Sequence, residues 1–404
     1  MELPRGAVDK EVFCMSDITE RELSFLSNGR KLYVKEFMPG SNTAAKKGKM
    51  PAVIVSHGFG GSARDVECYC ATFSQMGYVA YCFDFCGGSI EGMGRSEGTS
   101  LDMTIGTECT DLNSVIGQIK KFPYVDACRI SLMGCSQGGF VSALVAAELG
   151  SAIENLIMFY PALCIPDHAR AGKLGGASYD VRHVPEIIEC PNQMKLSQKF
   201  HKEVYGMDPY LEISKYKGRV LLVQGMEDNV VNYAYAVRAK ESYDKGQCSL
   251  MMIRDAGHGF NGQQDESAVI AIEHFLAGKR ELLTIQVVIT GSKMIAEKDG
   301  YRECEVSFTG YCDNDLFQGS ILPKGVDVQK QYGDGAAVLR AEYTLVGRDY
   351  EMNACSIHIV NQKKGSRYKP TVTTDSKALA YLNDLDMTAS LEGFPGGLTV
   401  RVFG

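Results

Sequence analysis

Gly134-Cys135-Ser136-Gln137-Gly138 follows the apolar run Arg129-Ile130-Ser131-Leu132-Met133 and precedes Gly139-Phe140-Val141-Ser142-Ala143-Leu144-Val145-Ala146-Ala147. The first run reads as a buried strand. The second, rich in small apolar residues, reads as a packed helix. A serine on the sharp turn between them has its hydroxyl pushed out of the fold and into a cleft. Glycines on either side suit a strained turn where strand and helix backbones pass close together. The pattern G-x-S-x-G is common by chance, and it is the strand before and the helix after that make this one a nucleophile elbow.

Outward from the elbow, strand and helix signals alternate from about Ser16 to Arg280. Ala52–Ser56, Tyr78–Phe83, Asn155–Tyr160, Arg219–Val223 and Cys248–Ile253 are apolar runs of the kind found in strands covered on both faces. Leu112, Val115, Ile116 and Ile119 recur at helical spacing, Val230–Val237 opens another helix, and Ser267–Ala277 forms a third. Repeated β-α units predict an α/β fold with a mostly parallel sheet sandwiched by helices. Between Pro161 and Lys217 no strand signal is present. An insertion of that length, leaving the sheet at a strand end, predicts a lid or binding loop.

After about Lys279 the pattern changes to short β-branched or aromatic segments. These are Leu282–Ile289, Glu303–Phe308, Ala337–Leu345, Cys355–Val360 and Leu398–Phe403, with Gly333-Asp334-Gly335 and Gly396-Gly397 as turn chemistry. They predict a small all-β barrel or sandwich. The expected domains are therefore 1–280, with a lid at about 161–217, and 281–404. Arg340 and Glu342 alternate with apolar neighbours, and the pattern fits a cavity lining and a solvent face equally well.

The 404 residues are 45% hydrophobic and 23% charged, with a formal net charge of −7. That is the composition of a globular protein with a substantial core, and the absence of a basic stripe argues against nucleic acid as a partner. Met1–Lys10 has no apolar h-region and reads as no secretory signal. No window reaches the ~18 consecutive apolar residues that would span a bilayer. The fourteen cysteines show no small-scaffold spacing and read as reduced thiols of a cytoplasmic protein. Cys68/Cys70 and Cys82/Cys86 lack zinc-like spacing and read as buried small residues on a helix and a strand, so no metal is expected.

A serine nucleophile needs a base, and the base needs an orienting acid. Downstream of Ser136, the strand Arg219–Gln224 runs into Gly225-Met226-Glu227-Asp228, which places Asp228 at a strand end with Glu227 as its local competitor. After the next strand comes Asp255-Ala256-Gly257-His258-Gly259-Phe260, with His258 in a glycine-flanked loop. Ser136, Asp228 and His258 stand in the order Ser, acid, His. The developing oxyanion needs preorganised donors. The Gln137 amide follows the nucleophile, and the Phe59 amide lies in the glycine-rich loop His57-Gly58-Phe59-Gly60-Gly61 after an early strand. His57 reads as a brace for that loop. His168, His183 and His201 fall in the lid, His274 on a helix and His358 in the β domain.

Together with Asp84-Phe85-Cys86-Gly87-Gly88, these motifs over about residues 20–280 resemble the α/β-hydrolase superfamily, and within it the bacterial esterases that cleave feruloyl and other cinnamoyl esters. The resemblance implies Ser136, Asp228 and His258 as a triad and the Phe59 and Gln137 amides as an oxyanion hole. In those esterases, polar lid residues meet the phenolic hydroxyls of the substrate. Gln318–Pro323, Gly333-Asp334-Gly335 and Leu339–Leu345 resemble a family of small bacterial β-barrel domains of unknown function, which implies a lipocalin-like barrel and no activity. The expected function is a serine carboxylic-ester hydrolase acting on a small ester, with no cofactor, no membrane partner, and self-association into a homo-oligomer left open. Two alternatives stand beside it. One is a serine peptidase of the prolyl-oligopeptidase type, disfavoured because only about fifty residues precede the first strong strand. The other is a ligand-binding protein whose barrel is the functional part.

Overall fold

Eight strands build one sheet, and the order in which they join it decides where a ligand can sit. A computed structural model describes residues 18–40, 48–323, 325–333, 337–364 and 367–404. The N-terminal segment Met1–Lys10 and the turn residues Asp334 and Gly335 lie outside these. The chain divides into two compact units, one reaching to Ile253 with Gly257–Gly259, the other comprising Arg254–Ala256 and Phe260–Gly404.

The first unit opens with β1 (Thr19–Ser27) and β2 (Arg30–Met38), an antiparallel pair turned by Asn28-Gly29, both at positive φ. Then follow β3 (Met50–Ser56), α1 (Glu67–Gln75), β4 (Val79–Phe83), α2 (Ile105–Ile119), β5 (Val125–Cys135), α3 (Gln137–Leu149) and β6 (Asn155–Phe159). The insertion holds α4 (Ile165–Arg170), the hairpin β7 (Lys173–Leu174) with β8 (Ala177–Ser178), the hairpin β9 (Ile187–Glu189) with β10 (Lys195–Ser197), then α5 (Gln198–Tyr205) and α6 (Pro209–Ile213). β11 (Arg219–Gly225), α7 (Ala234–Ser242) and β12 (Cys248–Ile253) complete the unit. The sheet order is β1-β2-β4-β3-β5-β6-β11-β12, and from β4 to β12 every pairing is parallel.

β3 lies between β4 and β5, so the chain winds to one side of β3 and then to the other. A crevice opens at such a switch point, above the carboxyl ends of the strands. The loop after β3 and the turn after β5 both face it. β4 and β6 are buried along their whole length, as their continuous apolar runs require. α2 starts at the cap Thr104, whose hydroxyl accepts the Thr107 amide. It buries Leu112, Val115, Ile116 and Ile119, the predicted face. Two of the expectations need correction. The insertion contains two small hairpins where no strand was expected, because strands of two or three residues leave no periodicity to read. Cys68 is exposed, while Cys70, Cys82 and Cys86 are buried, with Cys86 in a loop and not on a strand.

The second unit begins with α8 (Gln263–Leu276) and continues as nine antiparallel strands: β13 (Glu281–Lys298), β14 (Tyr301–Asp313), β15 (Phe317–Ile321), β16 (Gly325–Gln331), β17 (Ala337–Asp349), β18 (Ala354–Lys364), β19 (Arg367–Thr374), β20 (Thr388–Phe394) and β21 (Gly397–Phe403). β13 pairs with β21 on one side and β14 on the other, so the sheet closes on itself. β15 and β16 succeed each other between β14 and β17. Inward positions such as Tyr343, Leu345, Ile357 and Ile359 are buried in one apolar cluster. Arg340 and Glu342 take the outer face as an exposed ion pair of 2.5 Å, which decides between their two readings. Among the described residues no helix is long and apolar enough to cross a membrane.

Candidate functional site

Ser136 stands between β5 and α3 with φ 54° and ψ −120°, a conformation that L-residues avoid. Such strain costs on the order of 1–3 kcal/mol and persists only where the surroundings impose it. Here they do. The Ser136 amide donates to Phe159 O at 2.9 Å, and its carbonyl accepts from Ala162 N at 2.9 Å. A Cβ at Gly134 would strike the Gly138 carbonyl and lie 2.6 Å from Gly139 N, and one at Gly138 would lie 2.5 Å from Ser56 O. The two flanking glycines are therefore demanded by close backbone packing between β5, α3 and the end of β3.

The structure brings Ser136, His258 and Asp228 together. Ser136 Oγ lies 3.0 Å from His258 Nε2, and His258 Nδ1 lies 2.8 Å from Asp228 Oδ2. Asp228 sits in the turn after β11 with no side-chain exposure. Its Oδ1 accepts the Val230 and Val231 amides, each at 2.8 Å, and Oδ2 also accepts Gln224 Nε2 at 3.0 Å. Burial pushes its pKa up, but the bonds from His258 and the two amides outweigh burial and hold the carboxyl below its ordinary value. An ionised Asp228 fixes the His258 proton on Nδ1. Nε2 is then free to accept the serine proton, the arrangement that turns a hydroxyl into a nucleophile. The ring of Tyr160, itself at φ 38°, meets the His258 ring edge to face at 4.9 Å. Glu227, the competing acid, is exposed to solvent.

The loop His57–Gly61 runs beside the serine. A Cβ at Gly58 would stand 3.1 Å from Ser136 Cβ and 3.7 Å from its Oγ. His57 is buried. Its Nδ1 donates to Gly58 O at 2.8 Å, and its Nε2 accepts the Phe85 amide at 3.2 Å. Burial lowers its pKa, so the ring is neutral and serves as a brace. Gly60 N donates to Gly88 O at 3.0 Å, and Ile90 N to Gly60 O at 3.1 Å, tying the loop to the segment after β4. The Phe59 ring packs against Gly175 of the insertion, and Gly60 lies against Asn192 and Met194. Phe59 thus belongs to a loop whose Gly58 lies against Ser136, and Gln137 is the residue that follows Ser136 in the chain.

Of the remaining histidines, His201 Nδ1 bonds Tyr179 OH at 2.8 Å within the insertion, His183 faces Asp180, and His168 lies on α4. His274 on α8 stacks on Phe403 at 4.0 Å, and His358 faces Glu342 on the barrel exterior. The sequence reading overlooked Glu108. Gln137 Nε2 donates to Glu108 Oε2 at 2.9 Å, and both side chains are buried. Burial pushes this carboxyl up to about 8, with Asp111 and Glu203 adding to the rise and Gln137 opposing it. Its signal was present: an acid at position 108 shares the helical stripe of Leu112, Val115 and Ile119.

A family model described as serine aminopeptidase, S33, matches residues 49–189, and one described as TAP-like protein matches residues 201–281. Among solved structures, Est1E from Butyrivibrio proteoclasticus is similar with 26% identity and a TM-score of 0.55, covering 63% of this chain and 98% of that one. Est1E with ferulic acid bound gives 27% identity and a TM-score of 0.57, with the same coverage. The hypothetical protein PA2218 from Pseudomonas aeruginosa shares the fold, with 14% identity and a TM-score of 0.52 over 68% of this chain and 99% of that chain. An uncharacterised 31.7 kDa protein in the traX-finO intergenic region of Escherichia coli is 33% identical over 93 residues, 22% of this chain. That match spans only 30% of the curated relative's length. The sheet order, the elbow and these likenesses agree on an α/β-hydrolase.

Proposed function

We propose that this α/β-hydrolase is a serine carboxylic-ester hydrolase that works through an acyl-enzyme on Ser136. The observation that carries the reading is the relay Ser136 Oγ–His258 Nε2–Asp228 Oδ2, at 3.0 and 2.8 Å, behind a serine held at φ 54°. Ser136 Oγ attacks the ester carbonyl while His258 Nε2 takes its proton. The Phe59 and Gln137 amides receive the oxyanion, for which one lost donor typically costs ~3 kcal/mol. On collapse, Nε2 returns the proton to the leaving alcohol. Water then attacks the acyl carbonyl as Nε2 takes its proton, and collapse of this second intermediate breaks the acyl–Oγ bond, returns the proton from Nε2 to Ser136 Oγ and releases the acid. Asp228 stabilises the imidazolium in both halves.

The likeness to Est1E, solved with ferulic acid bound, supports an aromatic acid such as a feruloyl or cinnamoyl group on the acyl side. Residues 1–280 would form the catalytic domain, with the insertion at 161–217 selecting the ester, and residues 281–404 a barrel domain of separate role. Free thiols at every described cysteine support a cytoplasmic setting. A second reading, cleavage of an amide by the same relay, is favoured by the serine aminopeptidase description of the model matching residues 49–189. Methyl ferulate, short aliphatic nitrophenyl esters and aminoacyl amides assayed side by side separate the readings. Ester turnover that vanishes in Ser136→Ala is expected. Turnover confined to amides favours the second reading, and undiminished turnover in Ser136→Ala refutes both.

A further inference from the structure

Directly behind the elbow lies a carboxyl group for which the proposed reaction has no use. Glu108 sits one turn into α2 and is 1% exposed, and Gln137, the first residue of α3, is 3% exposed. Gln137 Nε2 donates to Glu108 Oε2 at 2.9 Å and touches Met103 Sδ at 3.7 Å. The other carboxyl oxygen, Oε1, would lie 3.2 Å from a Cβ at Gly88. Gly88 is the residue whose carbonyl holds the Gly60 amide at 3.0 Å, and so holds the loop that carries Phe59. One buried carboxyl therefore bonds the Gln137 side chain directly and stands beside Gly88, the residue that in turn holds the loop carrying Phe59.

We propose that Glu108 is a positioning residue for the oxyanion hole, fixing the Gln137 side chain and the Gly88 backbone against each other. This rests on the acyl-enzyme reading above and deepens it. A donor serves a developing oxyanion only if it is already in place, and displacements of about 1 Å near reacting atoms can cost 10²-fold in rate. Gln137 cannot turn while its amide is held by Glu108, and Gly88 cannot close inward while the carboxyl fills the space beside it.

The state of the carboxyl matters as well. The groups that face it are Asp111 and Cys109 on its own helix, Glu203 on α5, and the neutral His57 ring across Gly88. None of these is a cation. Burial pushes Glu108 up to about 8, so at pH 7 it stands as the neutral acid and adds no negative charge behind the donors. Above that pH the carboxylate would oppose an oxyanion forming on the far side of Gln137.

The test begins with nitrophenyl ester hydrolysis by the wild-type protein and its loss in Ser136→Ala. Failure there overturns the acyl-enzyme reading and not the role of Glu108 as such. With that activity in hand, Glu108→Leu is expected to lower kcat about tenfold or more with KM unchanged. Glu108→Gln keeps the shape and an acceptor for Gln137, so it is expected to retain kcat within about twofold at pH 7. Wild-type kcat/KM should fall as pH rises through about 8, the value to which burial pushes the carboxyl, and Glu108→Gln should lack that fall. Wild-type kcat in a folded Glu108→Leu, or the same alkaline fall in Glu108→Gln, overturns the proposal. Where Glu108→Leu does not fold, the pH profile of Glu108→Gln decides alone.

Discussion

Gly138→Ala adds one methyl group where the fold has no room for it. The new Cβ would stand 2.5 Å from Ser56 O and closer still to His57 O, whereas ordinary contact begins at 3.4 Å. Both obstacles are backbone, so no side chain can swing aside, and the end of β3 or the start of α3 must give by about 1 Å. Overpacking of this kind costs about 1–3 kcal/mol, several degrees in Tm for a unit of this size. The displaced atoms carry His57 and the loop beside Ser136, so kcat/KM should fall by about 10²-fold. Gly117→Ala is the matched control. Gly117 lies inside α2 with nothing within 4 Å of an added Cβ, and removing a helical glycine should raise stability by about 0.5–1 kcal/mol without touching turnover. Calorimetry and nitrophenyl ester kinetics on the two variants check both halves. A Gly138→Ala protein with wild-type Tm and turnover would refute the claim that close backbone packing is why glycine occupies this position.

Asp228→Asn leaves the shape of the relay but removes the charge that orients His258, and kcat is expected to fall by about 10⁴-fold with little change in KM, read by ester kinetics. His57→Asn takes from the loop both a donor to Gly58 O and an acceptor for the Phe85 amide; unfolding by denaturant should show a loss of about 1–3 kcal/mol, with a lowered kcat. His274, bonded to Thr388 Oγ1 at 2.6 Å, is held by burial at a pKa of about 4, below its ordinary value. The unfolded chain therefore binds the proton first, and stability should be lost as pH falls from about 6.5 toward 4. His274→Gln should flatten that part of a Tm-against-pH curve.

The elbow was legible because its parts are local: a strand, two glycines, a serine and a small-residue helix within twenty positions. Asp228 and His258 were legible because each follows an apolar strand that a parallel sheet must bring to the same edge. What the sequence hid is short or long-range. The β7–β8 and β9–β10 hairpins are too brief for a two-residue period to show. α7 begins at Ala234, four residues later than its apolar run suggests, because Val230 and Val231 donate their amides to Asp228 before the helix starts. Arg340 and Glu342 fitted two faces equally until pairing with β18 set which side of β17 turns inward. Glu108 was visible as an acid on an apolar stripe, but its partner Gln137 lies 29 positions away and only the fold joins them.

In the proposed reaction Ser136 Oγ is the atom acylated. Incubating the protein with a fluorophosphonate, a reagent that traps activated serines, and then measuring intact and peptide masses tests it most directly. A single adduct is expected, carried by the peptide containing Ser136, absent from Ser136→Ala and strongly slowed in His258→Ala. An adduct on another residue, or equal labelling of Ser136→Ala, would contradict it.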